Sequence, residues 1–218
     1  MHQHPTHLVF DFDGTLADSF ASSVAIFQRI GPGLGLKPLP DPERARSMPT
    51  RQLLKEVGVS FWKLRRVVKA YQAAAADVAH DLKLFPEWPA VLRTLHARGL
   101  TLGILSSNRE DVIRTCLRAN GVEDLFAFVV GYPKLFGKAK ALRRILKSRD
   151  LERGEVVYVG DETRDIEAAH KAKVPVVAVG WGFQRPEILR ELAPTFAVDS
   201  PGGLLALLDT PSSGVWQK

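Results

Sequence analysis

The feature that most constrains the fold is a set of short apolar runs, each of which stops at a group of small or polar residues. There are five, at residues 8–10, 102–105, 126–130, 156–159 and 174–179. Between them, apolar residues recur with helical spacing, at 88–95, 112–117, 142–146 and 166–169. Short runs that are apolar throughout are typical of strands buried on both faces. The pattern predicts an α/β fold: a Rossmann-like parallel sheet with helices on both faces and ligands at the carboxyl ends of its strands.

Residues 17–85 interrupt this alternation, because they contain no convincing strand. The clearest apolar residues at helical spacing in this segment are Leu64, Val67, Val68 and Tyr71. We therefore predict an inserted α-helical domain at 17–85 and an α/β domain formed by 1–16 and 86–218. The last ten residues, 209–218, are rich in Ser, Pro and Gly, which predicts a loose tail.

Composition narrows the class of protein. Of the 218 residues, 45% are hydrophobic and 25% are charged, as in globular proteins that fold on their own. No apolar stretch reaches about 18 residues and the start lacks a signal peptide's apolar segment, so we expect a cytoplasmic protein with no membrane partner. The single cysteine, Cys116, excludes an internal disulfide and a cysteine-based metal cluster.

The net charge of +6 raises the question of an anionic partner. Segment 17–85 contains 11 Lys or Arg residues and 6 Asp or Glu residues, so it holds most of the surplus. The sequence has no basic motif interleaved with aromatic residues and no recognisable nucleic-acid-binding pattern. We therefore expect no nucleic-acid partner.

Two acidic pairs follow predicted strands. Asp11 and Asp13 come directly after the first run and are followed by Gly14, while Asp161 and Asp165 come after the fourth run. Carboxylates gathered at one edge of a sheet repel one another unless a cation neutralises them. Because hard cations prefer oxygen ligands, the two pairs are predicted to hold one Mg²⁺ ion.

A hydroxyl group and a lysine supply groups that bind phosphate. Ser106 follows the second strand, and Lys138 follows Phe-Gly at the predicted start of a helix. A hydroxyl donor and a compact positive charge are what a phosphate group requires. Lys134 and Lys140 are close in the sequence, and the choice between Lys138 and Lys140 stays open.

These motifs resemble those of the haloacid dehalogenase superfamily, in particular its phosphoglycolate phosphatase-like branch with a helical cap. The first motif, Asp-x-Asp-Gly-Thr-Leu after an apolar run, is residues 8–16, and the second is Ser106. The third is a single lysine, placed at Lys138, and the fourth, Gly-Asp-x-x-x-Asp, is residues 160–165. The match spans nearly the whole chain. The resemblance implies an α/β core with 17–85 as its cap.

The resemblance also implies a role for each motif residue. Asp11 would attack phosphorus to form an aspartyl-phosphate, and Asp13 would protonate the leaving oxygen and later activate water. The phosphate-binding residues would be Gly14, Thr15, Ser106, Ser107 and Lys138. The Mg²⁺ cofactor would be held by Asp11, Asp13, Asp161 and Asp165. Arg46 and Arg51 flank a stretch that meets substrate in related caps, so they are candidate contacts for a second anionic group.

The implied function is Mg²⁺-dependent hydrolysis of a small-molecule phosphate monoester, with phosphoglycolate as the leading substrate. Dehalogenases of the superfamily typically lack the second aspartate of the first motif, so Asp13 favours phosphate esters. A sugar-phosphate mutase would retain the same motif and is the alternative enzyme. Alternatives that are not enzymes are a phospho-receiver domain, disfavoured by the order of the acids and the lysine, and a nucleic-acid-binding module. The oligomeric state stays open.

Overall fold

The computed structural model describes residues 5–132 and 134–210, and its centre is a six-stranded parallel sheet. The strands are β1 (His7–Phe10), β2 (Thr101–Ser106), β3 (Phe126–Gly131), β4 (Val156–Gly160), β5 (Val176–Val179) and β6 (Phe196–Val198). Their order across the sheet is β3-β2-β1-β4-β5-β6. The chain starts in the middle, builds one half outward and then crosses β1 to build the other half. The predicted α/β fold is confirmed.

Ten α-helices accompany the sheet in the described residues. They are α1 (Phe20–Ile30), α2 (Pro42–Arg46), α3 (Thr50–Glu56), α4 (Phe61–Val78), α5 (Trp88–Ala97), α6 (Glu110–Ala119), α7 (Lys138–Ser148), α8 (Thr163–Ala172), α9 (Pro186–Arg190) and α10 (Pro201–Asp209). Successive side chains of a strand point to opposite faces. Phe10 therefore packs with α5, α6 and α10, whereas Val9 packs with α7, α8 and α9. Within the described residues, no helix combines the length and apolar character that crossing a bilayer requires.

The sixth strand is absent from the sequence prediction, which contains five. Phe196–Val198 is only three residues long and pairs in parallel with the edge of β5, where Ala197 lies opposite Ala178. A segment this short becomes a strand because a neighbouring edge offers hydrogen bonds, and its own pattern does not reveal it. The predicted tail begins at Asp209, which ends α10 and pairs with Arg98; residues 211–218 lie outside the described part of the chain.

Helices α1 to α4, which we call the cap, lie between β1 and α5, where an inserted helical domain is predicted. Helices α1 and α4 pack against each other around a small apolar cluster. The two segments that join the cap to the sheet also pair: the Asp18 N–H donates to the Lys83 carbonyl at 2.9 Å, and the Phe85 N–H to the Leu16 carbonyl at 3.0 Å. These hydrogen bonds lie close to residues 16–17 and 85–86, where the sequence predicts the boundaries between the two domains. The division into two domains stays a prediction.

Candidate active site

The chain leaves β1 through a tight loop that carries Asp11 and Asp13. The Asp11 N–H donates to a carbonyl oxygen of β4 at 2.8 Å, so the loop begins as a continuation of the sheet. Phe12, between the two acids, is fully buried in the core. Gly14 follows with φ +76°, and a Cβ there would lie 2.2 Å from Asp161 Oδ2. Glycine is required both for the turn and for this close approach.

Three carboxylates from two strand ends meet at this edge of the sheet. Oxygen atoms of Asp11, Asp161 and Asp165 all lie within 4.8 Å of one another, and none of the three residues is more than 1% exposed. Asp161 directly follows β4, and Asp165 lies in the first turn of α8. Buried carboxylate oxygens at this spacing fit a hard divalent cation such as Mg²⁺.

The balance of charge also favours a cation at this position. Two basic side chains, Lys138 and Arg164, share the site with five acidic ones: Asp11, Asp13, Asp161, Glu162 and Asp165. Burial and the charges of its acidic neighbours raise the pKa of Asp161 well above its usual value. Buried negative charge in excess costs stability unless a cation neutralises it. The donor set and its charge therefore both fit a divalent metal ion.

The lysine that the fold brings to this cluster is Lys138, the first residue of α7. It is 2% exposed, with Nζ 2.5 Å from Asp11 Oδ2 and 2.6 Å from Asp165 Oδ1. Burial lowers the pKa of Lys138, but the charges of Asp11 and Asp165 outweigh burial and raise it above its usual value. Lys138 is therefore a cation beside Asp11 at neutral pH. Lys140, the alternative, is exposed.

Asp13 lies close to Asp11 but in different surroundings. Its Oδ2 accepts a hydrogen bond from Asn108 Nδ2 at 3.1 Å. Burial and the charge of Asp11 raise the pKa of Asp13 to about 6, against the effect of that hydrogen bond. A carboxyl group with a pKa near neutrality suits both general acid and general base catalysis. Among the four predicted metal ligands, the Asp13 carboxylate lies outside the cluster that the other three form.

The predicted phosphate-binding hydroxyls divide into two kinds. Thr15 Oγ1 donates to Asp161 Oδ1 at 2.7 Å, so this hydroxyl orients a carboxylate of the cluster. Ser106 Oγ accepts from a backbone N–H two residues further on, at 3.1 Å. Ser107 Oγ accepts from Arg164 Nη1, also at 3.1 Å. The two serines are acceptors in these bonds, so each retains a hydrogen that it can donate to a ligand.

A loop after β5, which the sequence analysis did not single out, covers Asp161. The Phe183 N–H donates to Asp161 Oδ2 at 2.7 Å. Gln184 accepts from the Thr163 N–H at 2.6 Å and donates to the Met48 carbonyl of the cap at 2.8 Å. The loop thus fixes the cluster and ties the cap to it. The sequence signal that could have indicated this loop is its position directly after the fifth apolar run, at residues 174–179.

An ion pair inside the fourth motif was also missed. Arg164 Nε donates to Glu162 Oε2 at 2.5 Å, and Glu162 Oε1 accepts from Thr50 Oγ1 of α3 at 2.5 Å. Burial lowers the pKa of Arg164, but the charges of Glu162 and Asp165 raise it well above its usual value. The position of Glu162 and Arg164 directly after β4 could have suggested that they belong to the site. Their residue types could not have suggested it, because charged side chains are most often solvated.

The candidate cap contacts Arg46 and Arg51 each lie against an aromatic ring. The Arg46 guanidinium carbon lies 5.2 Å from the centre of the Phe20 ring, and that of Arg51 lies 4.1 Å from the centre of the Phe136 ring. A guanidinium group stacks favourably on an aromatic face. Both guanidinium groups therefore have an aromatic partner, and contact with a second anionic group of a substrate stays a prediction.

Comparison with known proteins gives consistent results. The family model for the haloacid dehalogenase-like hydrolases matches residues 8–179. A phosphoglycolate phosphatase from Synechococcus elongatus is 36% identical over 200 residues, which cover 91% of this chain and 94% of the relative. The pyrophosphatase PpaX from Listeria welshimeri is 26% identical over 216 residues, which cover 93% of this chain and 96% of the relative.

Solved structures show the same fold. The haloacid dehalogenase-like family hydrolase SP0104 from Streptococcus pneumoniae superposes with a TM-score of 0.79 at 23% identity. The superposition covers 94% of this chain and 99% of the other. The family model, the relatives and the fold agree with the motifs, and the chain belongs to the haloacid dehalogenase-like hydrolase family.

Proposed function

We propose that the protein is a Mg²⁺-dependent phosphatase that hydrolyses a small-molecule phosphate monoester through an aspartyl-phosphate at Asp11. The observation that carries the proposal is the environment of Asp11. Its carboxylate is 1% exposed, lies 2.5 Å from the ammonium group of Lys138 and belongs to a cluster of three carboxylates. A nucleophile that must approach an anionic phosphate needs such positive charge around it.

In the first half of the reaction, a carboxylate oxygen of Asp11 attacks phosphorus and the bond between phosphorus and the ester oxygen breaks. The electron pair of that bond goes to the leaving oxygen, which takes a proton from Asp13 and departs as an alcohol. The raised pKa of Asp13, about 6, keeps a useful fraction of this group protonated near neutral pH.

In the second half, Asp13 has lost its proton and acts as a base. It accepts a proton from water, whose oxygen attacks phosphorus, and the bond to Asp11 breaks to release inorganic phosphate. Both carboxyl groups return to their starting protonation states. Asn108, which donates to Asp13 Oδ2, holds the carboxylate in place through the cycle.

The residues that would hold Mg²⁺ are Asp11, Asp161 and Asp165, and the family resemblance adds the backbone carbonyl of Asp13. The ion supplies positive charge that offsets repulsion between the Asp11 carboxylate and the phosphate group. Lys138, Ser106 and Ser107 would donate hydrogen bonds to phosphate oxygens, and Gly14 would let the backbone approach them. Thr15 acts through another group, because its hydroxyl orients Asp161, and Asp165 also holds Lys138.

The names of the two relatives support a phosphatase, and phosphoglycolate is a substrate to test because of the relative that is 36% identical. A sugar-phosphate mutase would use the same first half-reaction and return the phosphate group to a sugar. Release of inorganic phosphate distinguishes the two. A cytoplasmic location and the lack of a nucleic-acid partner stay predictions.

The test measures hydrolysis of p-nitrophenyl phosphate with Mg²⁺ and with excess chelator. Activity should require the metal, and Asp11→Asn should lower kcat by at least about 10³-fold, because an amide of nearly equal volume is a poor nucleophile. Asp18→Asn, at an exposed acid of the neighbouring segment, is the matched control and should retain full activity. Unchanged turnover by Asp11→Asn, or full turnover in chelator, would contradict the proposal.

A further inference from the structure

A cavity lies between the cap and the carboxyl edge of the sheet, and Asp13 is part of its wall. Its volume is about 220 Å³, which is large enough to hold an organic group. On the cap side, the apolar side chains of its wall include Val24, Phe27, Leu53, Leu64 and Val68. These residues are partly exposed. The space next to Asp13 is therefore bounded mainly by carbon atoms.

Most polar side chains of the wall already satisfy one another. The hydroxyl oxygens of Tyr71 and Ser23 lie 2.5 Å apart. Thr50 donates to Glu162, and Gln184 uses both ends of its amide on backbone groups. A polar ligand group would have to displace one of these hydrogen bonds or remain unsatisfied, which costs binding energy. An apolar group meets the carbon surface without this cost.

The wall also offers no uncommitted cation for a second anionic group of a substrate. Among the described wall residues Arg164 is the one cation. Its hydrogen bonds go to Glu162, to Ser107 Oγ at 3.1 Å and to the Leu135 carbonyl at 3.3 Å. Neither cap arginine is among the described wall residues: Arg46 stacks on the ring of Phe20, which is part of the wall, and Arg51 stacks on the ring of Phe136. A ligand carboxylate would thus enter an apolar space unpaired, which is unfavourable.

We propose that the organic part of the substrate is an uncharged alkyl or aryl group, bound in this cavity between the cap and the carboxyl edge of the sheet. The inference rests on the proposed phosphatase function. Asp13 is the group that would protonate the leaving oxygen, so the carbon chain attached to that oxygen extends into the cavity. The cavity thus disfavours phosphoglycolate, the substrate in the name of the Synechococcus relative.

The test compares kcat/KM for ethyl, butyl and hexyl phosphate with that for phosphoglycolate. The three alcohols are similarly basic as leaving groups, so differences in kcat/KM report on the cavity. Each added methylene should raise kcat/KM by up to about fourfold until the cavity is filled. Phosphoglycolate should be at least about tenfold poorer than butyl phosphate. A flat series, or phosphoglycolate as the best substrate, would overturn the inference while leaving the phosphatase function intact.

Two variants of α4 show whether the cavity wall causes the trend. Val68→Thr places a hydroxyl in the wall with almost no change in volume and should reduce the gain per methylene, with ethyl phosphate affected least. Val78→Thr makes the same change on the same helix, at a partly exposed residue outside the described wall, and should leave the series unchanged. Equal effects of the two variants would count against the cavity as the binding site. Thermal melts identify any loss of folding.

Binding of n-alkylphosphonates, which are not hydrolysed, separates the inference from the reaction itself. Calorimetry with Mg²⁺ present should show an affinity that rises with chain length from methyl to hexyl in the wild type and less steeply in Val68→Thr. If no ester were hydrolysed but this trend appeared, the proposed function would fail and the apolar site would stand. If hydrolysis occurred but affinity were independent of chain length, the apolar site would be wrong.

Discussion

The ammonium nitrogen of Lys138 lies 2.5 Å from Oδ2 of Asp11, and both side chains are almost completely buried. Lys138 Nζ also lies 2.6 Å from Oδ1 of Asp165. Removal of one charged side chain from such a buried ion-pair cluster leaves the remaining charges uncompensated, which lowers the stability of the protein. The lysine therefore has two effects: it stabilises the cluster of acids and it places positive charge where a phosphate group would approach.

We expect Lys138→Met to lower kcat/KM for p-nitrophenyl phosphate by about 10²–10³-fold, because one fixed positive charge at the reacting group is lost. The same variant should lower the melting temperature, since Asp11 and Asp165 would then face each other without their cation. Lys140→Met, two residues along the same helix, changes an exposed lysine and should alter neither quantity. The opposite pattern would assign the role to Lys140.

Asp13→Asn should slow cleavage of alkyl phosphates more than cleavage of aryl phosphates. An alkoxide leaves poorly without a proton, whereas p-nitrophenolate is stable as an anion, and general acid catalysis contributes about 10²–10⁴-fold. Pre-steady-state formation of the aspartyl-phosphate is the measurement, because it excludes the second half-reaction. Equal relative slowing for both ester types would remove the general-acid role from Asp13.

Gly14→Ala should impair the metal site beyond the cost of backbone strain. Gly14 has φ +76°, and a Cβ there would lie 2.2 Å from Asp161 Oδ2. Gly58, with φ +83° and no atom within 4 Å of such a Cβ, is a matched control for strain alone. Both alanine variants should lose about 1–2 kcal/mol of stability through strain. Only Gly14→Ala should also raise the Mg²⁺ concentration needed for activity, and a similar rise in Gly58→Ala would contradict this explanation.

The stability of the metal-free protein should depend on pH in a defined direction. The pKa of Asp13 is raised to about 6 from an ordinary 3.8, so the folded state binds more protons than the unfolded state between these values. The free energy of unfolding due to this group therefore falls as pH rises through about 4 to 6. Asp161, whose pKa is also raised, acts in the same direction. Melts in chelator across this range measure the fall, which a rising or flat profile would contradict.

Magnesium should reverse this loss at neutral pH, with a rise in melting temperature on the order of 5 °C. Asp161→Asn should melt higher than the wild type in chelator, because it removes one buried charge, and should respond less to Mg²⁺. Asp18→Asn, at an exposed acid, should behave like the wild type. If Asp161→Asn kept the full response to Mg²⁺, Asp161 would not be a metal ligand.

Much of the site could be predicted from the sequence because a parallel sheet brings the carboxyl ends of its strands to one edge. Asp11 after β1 and Asp161 after β4 were therefore expected at the same edge, and the pairing of β1 with β4 brings them close together. Lys138 could be proposed in the same way, but the sequence did not exclude Lys140. The structure distinguishes their positions because a helix buries one side: the first residue of α7 points into the cluster and the third is exposed.

What the tertiary structure decided depends on contacts between segments far apart in the chain. The β6 strand exists because β5 offers an edge, and Arg46 and Arg51 lie against aromatic rings that no local pattern could pair with them. The apolar cavity beside Asp13 is formed where the cap faces the sheet. Arg164, the cation in its described wall, pairs with Glu162 of the fourth motif. The sequence by itself determined which chemical groups reach the edge of the sheet. The packing of cap against core determined what surrounds them, because that packing is set by distant side chains acting together.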